Sequence, residues 1–567
     1  MKQNLEALRH STSHVLAQAV LELFPKTKLG IGPSIENGFY YDFDKKDGFS
    51  PEDLKKIEKK MKEIIKSDLK IEKIQVSKQK AKTMLKGQPY KLELLEEIKG
   101  KPTFYKQGNF EDLCAGPHLK STKEIISFKL LSTAGAYWRG DSKNKMLQRI
   151  YGTAFEEKTE LKSYLHMLEE AKKRDHKKLG EKLNLFSFHE EGPGFPFFHN
   201  KGTILYNGLV NFWKDIHRKN DYQEIKTPMI LNKELWLKSG HWDNYKENMY
   251  FTKIDDKDYA VKPMNCPGGI LIYKHNLHSY KEFPLKVAEL GVVHRHELSG
   301  VLNGLFRVRV FTQDDAHVYC TEKQLQDEII SVIQLSQEIY KTFGLDYELE
   351  LSTKPEKSIG TKEMWDSAEK SLEKALKKLK LDYKLNPGDG AFYGPKIDFH
   401  IKDSLGRTWQ CGTIQVDFSM PEKFDLSYDG KDGRKHRPVM IHRAILGSLE
   451  RFLGILIEHY AGNFPLWLSP TQVKIITVND KADKFAKEVL KKLKDNNIRA
   501  EIDLRQESVS KKVRDAIKEK VNYVINLGDK EVKSKKIAIR TRTGKLNFNI
   551  SVDKFIKDLQ KEIESKK

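Results

Sequence analysis

A chain of 567 residues with 38% hydrophobic side chains is long enough for about three or four domains with packed cores. Its 101 basic residues outnumber 80 acidic ones, a net charge of +21 that favours a polyanionic partner, and four cysteines in such a length exclude a disulfide scaffold. The opening MKQNLEALRHSTSH lacks the apolar stretch of a signal peptide and no apolar run reaches the roughly 18 residues of a membrane span, so a soluble, cytoplasmic protein is expected.

In chain order, Asn4 to Phe24 reads as an amphipathic helix closed by Pro25, and LGIGPSIENGFYYDFD, punctuated by Gly, Pro and Asn, as strand and turn. Ser50 to Lys66 is helical in pattern, and strand-like pieces then alternate with loops up to Tyr151. Glu156 to Leu183 is a strongly charged helical run, expected to connect domains, and GPGFPFF breaks the chain after it. Residues 198–466 are α/β in character without an obvious internal break, and include the strand-like runs FRVRVFTQDDAHVYC and RTWQCGTIQVDFSM. From 471 onward the apolar strands VKIITV, RAEIDL, YVINLG and KIAIRT alternate with charged helices at 481–494, 510–520 and 551–565, which predicts a small α/β domain. That last segment carries 26 basic against 15 acidic residues, a net of +11, so about half the excess charge sits in a sixth of the chain. Such asymmetry points to a nucleic-acid surface.

Several groups of residues carry chemistry. His10 and His14 share one helix face at i, i+4, and Cys114 and His118 in DLCAGPHL repeat the spacing. One such pair is a common surface accident; two in one segment point to a metal site or a polar hydrolytic pocket. Cys266 is expected in a tight Pro/Gly turn (KPMNCPGG), His317 on or beside a strand (TQDDAH), and His442 at the start of a helix (IHRAILGSLERF). Three N/S ligands would leave one zinc coordination position open, as catalytic sites do, although their spacing alone shows no site. Cys320 and Cys411 read as ordinary buried thiols. Arg295 with Glu297, Arg307 and Arg309 before Phe311, and Arg451 form a third group. Arginine in apolar strands needs a carboxylate or phosphate partner, and an aromatic ring beside it suits a nucleobase. No GxxxxGK[ST] or GxGxxG element occurs, so neither a P-loop nor a Rossmann site is expected.

These strings resemble a known family. KTPMI with Pro228, HRHELSG with RVRVF, and IHRAILGSLERF resemble motifs 1, 2 and 3 of class II aminoacyl-tRNA synthetases. MNCPG, TQDDAH, AFYGPKIDF, WQCGTIQVDF and MIHRAILGSLERF are similar to the threonyl-tRNA synthetase family in particular. HSTSH, GPSIENGFYYDFD and LCAGPH look like that family's editing domain, and DLR, GDKE and IAIRTRTG like its anticodon-binding domain. The resemblance implies a multidomain α+β and α/β protein: an editing domain at 1–155, a linker helix at 156–184, a class II catalytic domain with an antiparallel sheet at 185–468, and an α/β anticodon-binding domain at 469–567.

The residue roles follow from the same resemblance. Cys266, His317 and His442 would hold one Zn2+, and Gln313, Asp315, Tyr393 and Gln415 would complete a threonine pocket. Arg295 and Arg307 would hold ATP phosphate, Glu297 and Phe311 the adenine, Arg451 the γ-phosphate end, and Gln410 and Lys396 would belong to the active-site strands, with Mg2+ accompanying ATP. His241 matches the histidine proposed to help deprotonate the tRNA ribose hydroxyl. His10, His14, Cys114 and His118, with Asp112 and Lys91, would hydrolyse seryl-tRNA(Thr), and Arg514, Glu531 and Arg540 would read the anticodon. The implied partners are tRNA(Thr), ATP, L-threonine and, through motif 1, a second copy of the chain.

Three departures stand out. The usual MNCPGH reads MNCPGG, with Gly269 last, and the usual DLRNE reads DLRQES, with Gln506 in place of Asn. Many bacterial members open with a small ubiquitin-like domain, whereas this sequence begins almost directly at the editing helix. Two rivals are weighed: a prolyl enzyme of the same class, against which Cys266, TQDDAH and His442 argue, and a non-aminoacylating paralogue, against which the intact arginines and zinc candidates argue.

Overall fold

The computed structural model describes residues 2–141 and 143–566 and divides into two compact units, Met1–Glu170 and Ala171–Lys567. In the first, the helix Lys2–Leu23 lies on an antiparallel sheet whose strands run in the order Lys28–Leu29, Gly38–Asp44, Met146–Phe155, Ser127–Tyr137. Every residue from Ser11 to Val20 is buried, so the helix is not amphipathic as expected but enclosed on all sides over that stretch. Its buried polar residues are therefore committed to specific partners. The helix Pro51–Lys66 packs against it through Ile57, Met61 and Ile64, and begins where Ser50 and Asp53 form a reciprocal cap ahead of Pro51.

A second, three-stranded sheet joins Ile71–Gln75, Thr103–Gln107 and Phe110–Leu113. Between its first two strands the chain forms two helices, Lys78–Met84 and Pro89–Glu97, where strand-like pieces and loops were expected. The Ser77 cap, Pro89 in the first turn, and the packing of Ala81, Leu85 and Leu95 on Phe104 favour helix there. The charged run from Glu156 also departs from one continuous helix. It splits into Lys158–Arg174 and His176–Lys182, because Asp175 takes a non-helical conformation and its carboxylate caps the N–H groups of Lys177 and Lys178.

The second unit holds an eight-stranded sheet in the order Gln223–Glu224, Leu285–His294, Val310–Cys320, Val439–Ala444, Thr408–Asp417, Lys396–Lys402, Asp346–Ser352, Lys384–Asn386. Its six central strands pair antiparallel, and only the two edge strands are parallel to their neighbours. Helices Asn200–Lys219, Leu325–Phe343, Lys362–Lys378 and Leu449–His459 supply its core. On the other face Cys266, Ile270, Tyr273, Met420 and Phe424 pack over Val287, Tyr319 and Met440, and the remainder is left for a site.

Beyond it, Ala500–Asp503, Val473–Thr477, Tyr523–Leu527, Ile537–Thr541 and Leu546–Ile550 form a five-stranded sheet in that order. Asp483–Asp495 and Val552–Ser565 cover one face, and Val509–Lys518 covers part of the other. The fifth strand was missed in the sequence. LNFNI sits at the sheet edge with its side chains largely exposed, so it lacks the continuous apolar run of the other four. No helix among the described residues is long and apolar enough to cross a membrane.

Candidate active site and a second cluster of ligand-type side chains

On the strand Val310–Cys320 the period of two sends Phe311, Gln313, Asp315 and His317 to one face, and the antiparallel register places His317 opposite His442. His442 in turn pairs with Gln415, and Gln415 with Lys396, so one row crosses four neighbouring strands. Two local expectations change here. His442 lies in the buried strand Val439–Ala444, not at a helix start; the helix begins at Leu449, after a turn at Gly447 and a cap from Ser448. Gly447 has φ +76, and a Cβ there would meet the Cys411 carbonyl oxygen at 2.8 Å, so a side chain is excluded twice over. Cys266 is not in a turn but opens the helix Cys266–His275, with Pro267 in its first turn.

The result brings Cys266, His317 and His442 together, one ligand atom from each lying within 4.8 Å of the others. The Nε2 of His317 is buried without a hydrogen-bond partner among the described residues, Asp315 Oδ1 standing 3.8 Å away. His442 Nε2 bonds Asp417 Oδ2 at 2.8 Å, and the other oxygen of Asp417 accepts from the backbone of Ser419 and Met420. Asp417 thus orients the ring from behind, as carboxylates behind ligating histidines do. Burial drives His317 well below its ordinary value and Cys266 well above, so without a cation both are neutral. Asp315 is pushed up to about 6, mainly by burial, while Asn265 Nδ2 donates to it at 3.1 Å and favours the charged form. At Gly269 a Cβ would stand 3.8 Å from His317 Nδ1, so the missing family histidine leaves the space beside this ring.

A cavity of about 520 Å³ opens over these residues. Of the expected site residues, Cys266, Arg295, Glu297, Arg307, Phe311, Gln313, Asp315, Tyr393, Gln410, Gln415, His442 and Arg451 all line it. The Arg295 guanidinium lies 5.0 Å from the Phe311 ring centre, a cation–π contact, and its Nε donates to the Pro263 carbonyl. Arg307 pairs with Glu297 at 2.8 Å. Arg309 instead braces the loop, donating to the carbonyls of Pro193 and Glu297. Arg451 enters from the first turn of Leu449–His459 with its Nε buried and without a hydrogen-bond partner among the described residues.

Three expected residues are not in its wall: His317 lies beneath it, and Lys396 and His241 stand behind it. Lys396 is bound to Asp398 at 2.6 Å and to Asp389 at 3.4 Å, and reaches the cavity only through Asp398, which accepts from the lining Thr413. His241 is fully buried, with Ser239 Oγ at 2.8 Å from one ring nitrogen and the Sδ of the lining residue Met264 at 2.9 Å from the other; burial lowers it to about 4. Asn265, Thr413 and Asp417 were not singled out from the sequence. Thr413 and Asp417 lie inside strings already recognised, at strand positions facing the site, and that was the available signal.

In the first unit the structure brings a second cluster together. His10, His14, Cys114 and His118 bring ligand-type atoms within 4.8 Å of one another. Cys114 Sγ lies 3.2 Å from His10 Nε2 and 3.3 Å from His118 Nε2, while Ser11 Oγ sits 3.1 Å from His118 Nδ1. Behind them Asp112 is held by Lys91 Nζ at 2.6 Å and by the Tyr41 hydroxyl at 2.5 Å, with His14 Nε2 at 3.8 Å. Asp112, Lys91 and Tyr41 are buried, whereas His10, Cys114 and His118 are only half-buried, so the cluster opens to solvent on one side. Burial lowers all three histidines and raises Cys114 to about 11, leaving imidazoles and thiol neutral near pH 7.

The three expected anticodon residues occupy different elements. Arg514 is exposed on Val509–Lys518, and Arg540 lies on Ile537–Thr541. Glu531 caps the helix Asp529–Ser534 by accepting from the Gly528 N–H at 3.0 Å.

Comparison with known proteins gives three family matches: "tRNA synthetase class II core domain (G, H, P, S and T)" over residues 250–460, "Anticodon binding domain" over 472–562, and "Threonyl and Alanyl tRNA synthetase second additional domain" over 103–151. The threonine–tRNA ligase of Clostridium tetani is 58% identical over 569 residues, covering 100% of this chain and 89% of its own. That of Carboxydothermus hydrogenoformans is 59% identical over 567 residues, covering 99% and 89%. Among solved structures, the RNA binding domain of threonyl-tRNA synthetase from Cryptosporidium parvum Iowa II matches at a TM-score of 0.66 and 42% identity, over 69% of this chain and 98% of that one.

Proposed function

The chain belongs to the threonine–tRNA ligase family of class II aminoacyl-tRNA synthetases, with an editing domain and an anticodon-binding domain, and from that premise we propose how its residues divide the work. Threonine and ATP react to threonyl-adenylate and diphosphate, and the threonyl group then passes to tRNA(Thr) with release of AMP. The observation that carries this reading is the convergence of Cys266, His317 and His442 beneath a cavity walled by Arg295, Arg307 and Arg451.

Cys266, His317 and His442 would hold Zn2+, for which a thiol, two imidazoles and an unbonded buried nitrogen are a fitting donor set; when bound it supplies a position for the amine and hydroxyl of threonine and so rejects valine. Gln313, Asp315, Tyr393 and Gln415 line the same end and position the amino acid. Arg295 and Phe311, held against each other, frame the adenine and the α-phosphate; Arg307, steadied by Glu297, and Arg451 take the remaining phosphate charge of Mg2+–ATP, with Gln410 in the facing wall. Attack by the threonine carboxylate on the α-phosphate needs alignment and charge neutralisation more than proton transfer, and guanidinium groups fixed before substrate arrives supply both. Lys396 acts through Asp398 and Thr413 on the wall. His241, held neutral by burial behind the lining residue Met264, is read from the family resemblance as the base for the ribose hydroxyl, a role that requires Met264 to move aside.

Serine carries the same amine and hydroxyl and lacks one methyl, worth roughly 10–200-fold in discrimination. The cluster at His10, His14, Cys114 and His118 is read as the hydrolytic site that removes it from tRNA(Thr). His10, lowered by burial less than His14 and His118, is the candidate base toward water, and the protonated Cys114 thiol is a hydrogen-bonding group rather than a nucleophile. Asp112 and Lys91 fix its floor.

The working division is 1–155 for editing, 156–184 for the linker, 185–468 for catalysis and 469–567 for the anticodon, with Arg514, Glu531 and Arg540 as base contacts. Met229 and Ile230, exposed beside Pro228 in motif 1, support pairing with a second copy, and the cytoplasm is the expected compartment. Purified protein given ATP and single amino acids should exchange diphosphate with threonine. Exchange with proline but not threonine would sink the assignment.

A further inference from the structure

The last sheet has two unlike faces. Ile475, Ile525, Ile537 and Ile539 point into the core beneath Asp483–Asp495 and Val552–Ser565. On the other face, Val509–Lys518 covers Ile476 and Val524. The register places two rows across the rest of that face: Val524, Arg540 and Leu546 in one, Asn526 and Ala538 in the next. Asn547 pairs with the core-facing Ile539, so Phe548 beside it turns to the Leu546 side, at the point where the ladder to Ile537–Thr541 shifts register. Leu546 is 40% exposed and Phe548 61%, on the edge strand of the sheet. An exposed Phe on an edge strand is a liability that most sheets avoid. Beside it, the Arg540 Nε and the Asn526 Oδ1 are buried without a hydrogen-bond partner among the described residues. This face therefore offers an aromatic ring, an apolar neighbour, an unspent guanidinium donor and an unspent amide acceptor, within a segment of net charge +11.

An exposed apolar ring in a segment of net charge +11 suits unpaired bases on a phosphate backbone better than another apolar protein face. We propose that Phe548 is a stacking platform for an unpaired base of the tRNA anticodon loop, with Leu546 widening the platform and Arg540 and Asn526 addressing base edges beside it. The proposal rests on the anticodon reading of this domain and adds a binding residue to it. Stacking on an aromatic side chain is sequence-tolerant, so Phe548 contributes affinity, while the polar pair contributes discrimination.

The test uses the full chain with wild-type, Phe548→Ala, Phe548→Leu and Phe548→Trp proteins, tRNA(Thr), and anticodon stem-loops carrying 2-aminopurine at single loop positions. Threonine-dependent diphosphate exchange, which involves no tRNA, serves as the folding control. Phe548→Ala should raise the KM for tRNA roughly five- to one-hundred-fold. Phe548→Leu should fall nearly as far, Phe548→Trp should match wild type, and one 2-aminopurine position should lose its quenching in the Ala and Leu variants. The slope of log affinity against log salt should not change, since no phosphate contact is removed. Equal KM for wild type and Phe548→Ala would overturn the proposal, as would a Phe548→Leu variant that behaves like wild type. Altered self-association of Phe548→Ala with unchanged tRNA affinity would overturn it too, assigning the patch to a second copy. Failure of the family reading looks different: wild-type protein would show no threonine-dependent exchange, whatever happens at Phe548.

Discussion

Glu450 sits one residue before Arg451, 5% exposed, in the first turn of Leu449–His459. Its Oε2 accepts the Thr312 N–H at 2.8 Å. The strand Val439–Ala444 does not extend alongside residue 312, so this bond, with Gly447 accepting the Asp314 N–H, ties the helix of Arg451 to the strand of Phe311 and Gln313. Burial pushes the Glu450 carboxyl up to about 7 from its ordinary 4.5. The folded chain therefore holds a proton that the unfolded chain has released between those values. The stabilisation is fully present below about pH 4 and is lost as pH rises through 7, a change of about 3 kcal/mol at 1.36 kcal/mol per pH unit. Glu450→Gln keeps an acceptor for Thr312 and cannot ionise. It should match wild type within about 1 kcal/mol near pH 5 and exceed it by about 2–3 kcal/mol at pH 8. Urea unfolding followed by tryptophan fluorescence reads this unit, because Trp138 alone of the seven tryptophans lies in the other. A wild-type chain as stable as the Gln variant at pH 8 would show that the carboxylate is ionised at no cost, refuting the assignment to burial. Glu450→Ala, which leaves the Thr312 N–H unpaired, should instead cost about 1–3 kcal/mol at both pH values and raise the KM for ATP.

Cys266→Ala should remove bound zinc, measured by elemental analysis, and abolish threonine-dependent exchange while leaving seryl-tRNA hydrolysis intact; unchanged zinc content would contradict the ligand assignment. His10→Ala should slow that hydrolysis by about 10²–10⁴-fold, the usual contribution of a general base, with threonine activation untouched. Asp112→Ala leaves Lys91 charged and unpaired in a buried site and should cost the first unit about 3–5 kcal/mol in denaturant titration. A smaller loss would mean that Lys91 finds water.

What could be read from the sequence was string by string, and what could not was the pairing between strings. TQDDAH, MNCPG and IHRAILGSLERF each carried a ligand-type side chain, and the period of two within VFTQDDAHVYC already put Phe311, Gln313, Asp315 and His317 on one face. Nothing in the separation of His317 from His442 says that they face each other across neighbouring strands, because register is fixed by the whole ladder and not by either residue. His442 was misplaced for a related reason. MIHRA and LGSLERF run together as one apolar pattern, and only the turn at Gly447 and the Ser448 cap divide strand from helix. Lys396 shows the limit from the other side. Its string was recognised, yet Asp389 and Asp398 hold the ammonium behind the wall, and an ion pair with a residue two positions along the same strand leaves no trace in a motif. The first helix reverses the pattern of error. HSTSH looks too polar to be enclosed, and Ser11 to His14 are buried because their hydroxyls find partners: Ser11 binds the Leu119 N–H and His118, Ser13 the Gly32 carbonyl, and Thr12 the Leu8 carbonyl one turn back. Buried polarity of that kind is expensive for stability alone. A helix that keeps His14 and three hydroxyls inside a core, with His10 half-buried at its edge, is therefore better explained by the chemistry at its surface than by the packing around it.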